Sequence, residues 1–301
     1  DRSVSRGLGD VYKRQIYDVM NRMILESDYN KVKFDEMRLA EKQMERIPET
    51  IGSIPYIIIM DRGYPSTPAF IHMMDKDIKF IVRLKSSDYK KEQSSLAEND
   101  QIVKIKLDKS RIRHYEGTPD GERMKELGRI SLRMVKILLE NGSLEVLATN
   151  LSQTEFQTEE IKELYHMRWG IETAYETLKS RLQLENFTGT KPILLLQDIY
   201  STIYLSNLAE DIILDAEREL DQKEANRKHK MMINQTVSIG ILKNDLIYIL
   251  LETDDQKKNI LFQQIYEDIS KNLVPIRPDR HYARTKGRLA GKYSNPHKRA
   301  Y

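Results

Sequence analysis

The chain reads as an α/β fold, and three observations carry that reading. Residues 54–60 form an almost unbroken apolar run that ends at Asp61, the pattern of a strand covered on both faces. A helix is predicted next over 69–74 and a second apolar strand over 80–84, which makes an alternating half of such a fold. Beyond it, 102–107 and 130–138 partly alternate apolar with polar residues, as exposed antiparallel strands do. From about Gln157 onward the apolar spacing is helical.

Taken in order, residues 1–15 have no apolar period and resemble translated sequencing-adaptor read-through, so they are expected to be a non-native leader, with a short disordered native leader as the rival reading. Residues 16–20 and 22–26 predict a strand pair turning near Asn21, and 34–47 a helix ended by Pro48. Asp61 falls at the carboxyl end of a buried strand, where open α/β sheets hold ligands, although an Asp before Arg62-Gly63 is also a common turn former. The stretch 86–150 is expected to be a β-rich insertion: a polar loop to 100, then strands punctuated by turns at 117–121 and 141–142. Its cations Lys104, Lys106, Arg111, Arg113 and Arg133 are open to two readings, a face that meets DNA or a solvated sheet face. A helix should start near Gln157, with Glu159 and Glu160 suited to its dipole, and end before Gly189 and Pro192. Helices over 192–220, 233–251 and 260–272 follow, with Leu and Ile stripes read as core. The expected divisions are 1–15, 16–85, 86–150, 151–274 and a basic tail 275–301.

Composition narrows the class. At 301 residues the chain could bury one large core or two modest ones. It has no run of 18 apolar residues and no signal peptide, so nothing points to a membrane, and with no cysteine it has neither a disulfide framework nor a thiolate metal site. The net charge of +3 conceals an asymmetry, because residues 277–301 carry eight Lys or Arg against one Asp and leave the remainder net acidic. In the tail, Arg277, Arg280, Arg284, Lys286 and Arg288 are interleaved with His281 and Tyr282, which suits an extended segment on a phosphate backbone as well as a merely solubilising end.

One helix gathers the rest. On a regular α-helix Tyr165, Arg168, Glu172 and Lys179 share an arc of about 60°. Leu164, Met167, Ile171, Tyr175, Leu178 and Leu182 share a neighbouring arc of about 80° that should face the core. A carboxylate flanked by cations at a core border suits a divalent metal beside phosphates. By spacing alone, a solvated i,i+4 pair of Arg168 with Glu172, worth roughly 0.3 kcal/mol, is the commoner meaning.

Tyr165, Arg168, Glu172 and Lys179, with gaps of two, three and six residues, resemble the signature of bacterial insertion-sequence transposases with a DDE catalytic domain. The flanks Leu147-Ala148-Thr149-Asn150-Leu151 and Gln197-Asp198-Ile199-Tyr200, and the segment Asp61-Arg62-Gly63-Tyr64, are similar to that family as well. The resemblance implies a ribonuclease H-like mixed sheet flanked by helices, with an inserted antiparallel β subdomain and a helical C-terminal part. It implies a bacterial cytoplasmic protein that cuts transposon ends and joins them to target DNA, as a homodimer, with two Mg²⁺ or Mn²⁺ ions. Asp61 and Glu172 would be catalytic metal ligands, Tyr165, Arg168 and Lys179 would hold end phosphates, and the tail cations would add DNA contacts. The family's first Asp belongs upstream of residue 16, where this sequence offers only Asp10 in the leader and Asp18 in a following strand. The chain as written is therefore expected to be inactive, and a non-catalytic DNA-binding or dimerising remnant is the alternative. A cellular nuclease on the same fold fits the insertion less well.

Overall fold

The computed structural model describes residues 11–31, 36–139, 142–182, 184, 188–189, 191–223 and 229–276. They fall into two compact units divided after Lys33 and after Trp169. In chain order, the first elements are β1 (Val11–Asp18), β2 (Met23–Lys31), α1 (Glu36–Ile51), β3 (Ile57–Met60), α2 (Thr67–Asp75) and β4 (Lys79–Leu84). Next come α3 (Lys90–Ser94), β5 (Asp100–Lys106), α4 (Lys109–Ile112), α5 (Pro119–Leu127), β6 (Arg129–Leu138) and β7 (Leu144–Thr149). The remainder is α6 (Thr158–His166), α7 (Trp169–Glu176), α8 (Pro192–Lys223), β8 (Met231–Ile233), α9 (Gln235–Leu251), α10 (Asp255–Lys271) and β9 (Leu273–Pro275). Among the described residues no helix is long and apolar enough to cross a membrane.

The unit from Phe34 to Trp169 is built on one five-stranded sheet ordered β3-β4-β7-β6-β5, parallel between β3 and β4 and antiparallel elsewhere. Period-2 alternation divides its side chains between two layers. Phe80, Val82, Leu132, Met134 and Ala148 pack with Phe70 and Met73 of α2 and Met124 of α5, and the Phe70 and Phe80 rings stack 5.4 Å apart. On the other face Ile81, Val135, Ile137 and Leu147 pack with Ile161 and Tyr165 of α6. The fold is thus mixed α/β, a sheet flanked by helices. The strands of the 86–150 stretch continue that same sheet through the pairing of β4 with β7.

Several local expectations change. Residues 54–56 precede the strand, and Ile57, Ile58 and Ile59 are only half-buried; among the described residues β3 pairs with β4 at one end of the sheet. Pro48 lies inside α1 rather than ending it; this close to the carboxyl end its missing N–H is tolerated, and Gly52, at φ +67°, closes the helix by donating to the Pro48 carbonyl at 2.8 Å. The 117–121 turn opens α5 instead: Thr118 caps it, Pro119 starts it, and Gly121 approaches the Tyr115 carbonyl so closely that a Cβ would stand 2.0 Å from that oxygen. The polar loop before residue 100 contains α3.

Arg133 points from β6 toward the α6 layer and is only 3% exposed. Its Nε and Nη2 donate to Asp100 at 2.8 and 2.6 Å, and its Nη1 donates to the carbonyls of Ser152 and Leu151 at 3.0 and 3.3 Å. Asp100 also accepts from Thr158, the first residue of α6, at 2.7 Å and from Gln153 at 3.0 Å. Arg133 is therefore withdrawn from any DNA contact, and it fixes where α6 starts. Arg111 is likewise engaged, with Glu92 at 2.6 Å and the Tyr89 ring.

The second unit joins the β1–β2 hairpin to the C-terminal helices around Ile24, Tyr175, Leu178, Ile203, Ile212, Leu242 and Ile269. Residues 11–15, set aside as leader by the sequence reading, pair with residues 27–31 in this hairpin. The Asn207 amide of α8 accepts from Ile24 N at 2.9 Å and donates to Ile24 O at 2.8 Å, acting as one more rung beside β2. β8 pairs with β9 and ties the start of α9 to the end of α10.

Asn207→Ala should destabilise the chain by roughly 1–3 kcal/mol in thermal or denaturant unfolding, because both Ile24 backbone groups lose their partner. Asp100→Leu should cost about 3–5 kcal/mol by stranding the buried Arg133 guanidinium, and Arg133→Met combined with Asp100→Leu should cost less than Asp100→Leu alone. The Arg133 guanidinium holds the Asp100 carboxyl at about 2, below its ordinary 3.8. A depressed carboxyl stabilises the fold above its unfolded value and loses that contribution as pH falls through the folded one. The stability gap between the unaltered chain and Asp100→Asn should close between pH 3.8 and about 2; a gap that does not change with pH would count against the pair.

Candidate active site

Asp61 follows the last residue of β3, at the carboxyl end of the parallel β3–β4 pair. That end is where open α/β sheets place ligands, because helix N-termini and loops converge there. The Asp61 carboxylate turns back on its own loop: Oδ1 accepts from Gly63 N at 2.8 Å, and the Asp61 carbonyl accepts from Tyr64 N at 3.3 Å. A Cβ on Gly63 would stand 2.9 Å from that same Oδ1, so the glycine permits the fold-back that orients the carboxylate.

The signature stretch is not one rod. α6 ends at His166, Met167 and Arg168 form a turn in which Arg168 N donates to the Tyr165 carbonyl at 3.1 Å, and α7 begins at Trp169. Gly170, the weakest helix former short of proline, sits just past the break. Its missing Cβ would make ordinary contacts at 3.7 Å with the Tyr17 and Val19 side chains, so it faces side chains rather than a closely packed backbone. α6 is capped by Glu160, whose carboxylate accepts from Gln157 N at 2.7 Å, as its acidic first turn predicts.

The break separates the four signature residues into pairs. Tyr165 is 6% exposed and packs with Ile161, Ile81 and Val135, so its ring belongs to the core instead of a displayed polar stripe. Burial raises the phenol above its usual pKa, with Arg168 and Arg83 pulling the other way, and among the described residues the hydroxyl has no well-formed hydrogen bond. Arg168 lies 5.9 Å from the Tyr165 ring centroid and 5.0 Å from that of Trp169, and Arg83 pairs with Glu145 at 2.7 Å. Glu172 is half-buried in the first turn of α7. Lys179 lies in a π-helical turn, Thr177–Arg181, closed by Leu182 N donating to the Thr177 carbonyl at 3.1 Å. The wider turn changes the phase of Lys179 relative to Glu172. Of the expected core stripe, Tyr175, Leu178 and Leu182 are buried, whereas Met167 is exposed at the break.

Asp61, Tyr165 and Arg168 belong to the unit that ends at Trp169, and Glu172 and Lys179 to the unit that resumes at Gly170. Among the described residues no three His, Cys, Asp or Glu side chains gather where one metal ion could be held. Asp18, the other nominee for an upstream carboxylate, is occupied as a turn cap: Oδ1 accepts from Met20 N and Asn21 N at 2.9 and 3.0 Å, and Oδ2 from Asn21 Nδ2 at 2.6 Å. The tail residues Arg277, Arg280, Arg284, Lys286 and Arg288 lie outside the described residues. Spacing could not reveal the Arg133–Asp100 pair, which joins residues 33 positions apart in sequence.

Comparison with known proteins bears on these positions. Residues 11–208 match the family described as Transposase DDE domain, a span that holds Asp61 and all four signature residues. The putative transposase InsL of insertion sequence element IS186A from Escherichia coli K12 is 33% identical over 75 residues, 25% of this chain and 20% of that protein. The transposase InsG of element IS4, from the same strain, is 20% identical over 195 residues, 64% of this chain and 41% of that protein. The matches thus span from a fifth to about two fifths of the relatives' lengths. Among solved structures, piggyBac transposase in a synaptic complex with hairpin DNA aligns with a TM-score of 0.45 at 9% identity, over 90% of this chain and 53% of that one. With about two thirds of its length matched by the family model and the signature inside that span, the chain belongs to the family of the transposase DDE domain.

Proposed function

We propose that this chain is part of a bacterial transposase that cleaves DNA at transposon ends and transfers the strands to target DNA, as a homodimer in the cytoplasm. The observation that carries this reading is the complete Tyr165, Arg168, Glu172 and Lys179 signature within the family-matched residues, together with Asp61 at a strand's carboxyl end. In this reading Asp61 and Glu172 are catalytic carboxylates and metal ligands, and Mg²⁺ or Mn²⁺ is the cofactor. Bound there, such an ion would supply Lewis-acid chemistry to the phosphodiester and to the attacking oxygen at neutral pH. Arg168 and Lys179 hold phosphate oxygens, Arg168 through a planar fork and Lys179 as a point charge. Tyr165, whose ring packs α6 against the sheet, is the further phosphate contact that this reading assigns. The tail cations Arg277, Arg280, Arg284, Lys286 and Arg288 add backbone contacts.

Two carboxylates leave most of an octahedral oxygen shell unfilled by protein. A second reading is that this chain binds DNA without cutting it, as a non-catalytic, DNA-binding or dimerising remnant would. Incubation of the chain with Mg²⁺ and supercoiled DNA carrying the element ends should give salt-sensitive binding and no nicking. Nicking that disappears in Glu172→Ala would instead establish an active enzyme, and an absence of any DNA binding would count against both readings.

A further inference from the structure

The helical unit spends a buried acid on orienting a surface arginine. Glu210 lies on the inward side of α8, 6% exposed, among Ile213, Ala209 and other apolar side chains. A carboxylate in such a place needs partners to offset its lost hydration. Its Oε1 accepts from Gln235 Nε2, and Oε2 lies 3.8 Å from Arg22 Nη1, which Glu217 also holds at 3.0 Å. The Gln235 amide is thereby fixed, with its Oε1 accepting from Arg181 Nη1 and lying 3.5 Å from Thr177 Oγ1. Arg181 is the last residue of the π-helical turn and its side chain is exposed. Lys243 of α9 donates to the Arg181 carbonyl at 3.4 Å, which places a second cation beside it, and Lys179 stands two residues earlier on the same turn.

An arginine that only aids solubility needs no such relay, since exposed polar contacts contribute little to stability. Guanidinium has five N–H donors in a rigid fork matched to phosphate, and holding one edge in place presents the rest with little further loss of freedom. We propose that Arg181 is a further DNA-phosphate contact of this transposase chain, with Gln235 and Glu210 as positioning residues that hold its fork and Lys243 as a flanking cation. This inference rests on the DNA-binding reading above and extends it past Lys179 onto the start of α9.

The test is the salt dependence of binding of the full 301-residue chain to a short fluorescent DNA duplex. Arg181→Ala should lower the slope of log K against log salt by about 0.9, the value for one neutralised phosphate. Arg181→Lys should keep the slope but bind more weakly, because an ammonium cannot reproduce the fork, and Gln235→Leu should do the same by releasing it. Arg218→Ala removes an exposed arginine of α8 that pairs with Asp215 one turn earlier, and should leave the slope unchanged. The inference is overturned if the unaltered chain binds while Arg181→Ala keeps its slope and affinity, or if Arg218→Ala lowers the slope equally. Should Arg181→Ala fail to fold, Arg181→Lys binding as tightly as the unaltered chain overturns it. If the unaltered chain does not bind DNA at all, the functional reading falls and this inference with it.

Discussion

The Arg133 guanidinium, only 3% exposed, lies on the face of the sheet that α6 covers, and a charge buried there has to be neutralised. Asp100 supplies the charge from β5, and the Leu151 and Ser152 carbonyls take the donors that remain. Because the same carboxylate accepts from Thr158, one buried ion pair joins two strands, a loop and the first turn of the helix that carries Tyr165. A buried pair of this kind adds little net stability compared with an apolar substitute, but it tolerates few alternative arrangements. In this chain it specifies where α6 begins, and with it which residues face the sheet.

The other unit solves a related problem differently. The β1–β2 hairpin is too small to hold itself, since two strands are marginal in water, and it leans on α8 through the two Asn207 hydrogen bonds and the Ile24 side chain. The same helix places Glu210 inward, where the apolar stripe alone would call for Leu or Ile. The cost of that residue is met by Gln235 and Arg22. Burial raises the carboxyl's pKa and the Arg22 charge opposes the rise, so the relay to Arg181 is held by charge as well as by hydrogen bonds.

Between these two solutions lies the signature stretch, and its break at Met167–Arg168 changes what a family motif means in physical terms. A single α-helix would carry all four residues on one stripe. Here Tyr165 is a core residue with a polar tip, Arg168 leans on two aromatic rings, and Lys179 rides a π-turn. The motif's spacing therefore reflects two short helices and a widened turn rather than one regular face. π-turns occur often at functional sites, since the extra residue redirects side chains that a regular helix would send elsewhere.

By itself the sequence determined the periodic features: strands at β4, β5 and β6, helices at α2, α8, α9 and α10, the acidic capped start of α6, and the DDE transposase signature. These follow from local spacing and composition, which need no knowledge of what lies across the molecule. Tertiary structure decided the rest. Arg133 became a core cation because Asp100 lies opposite it, Tyr165 turned inward because Ile161 and the sheet cover it, and β3 is half-buried with β4 as its partner among the described residues. The relay from Glu210 to Arg181 joins residues far apart in sequence. No periodicity records such pairings, because the partner that makes a buried charge tolerable is chosen by the fold and not by distance along the chain.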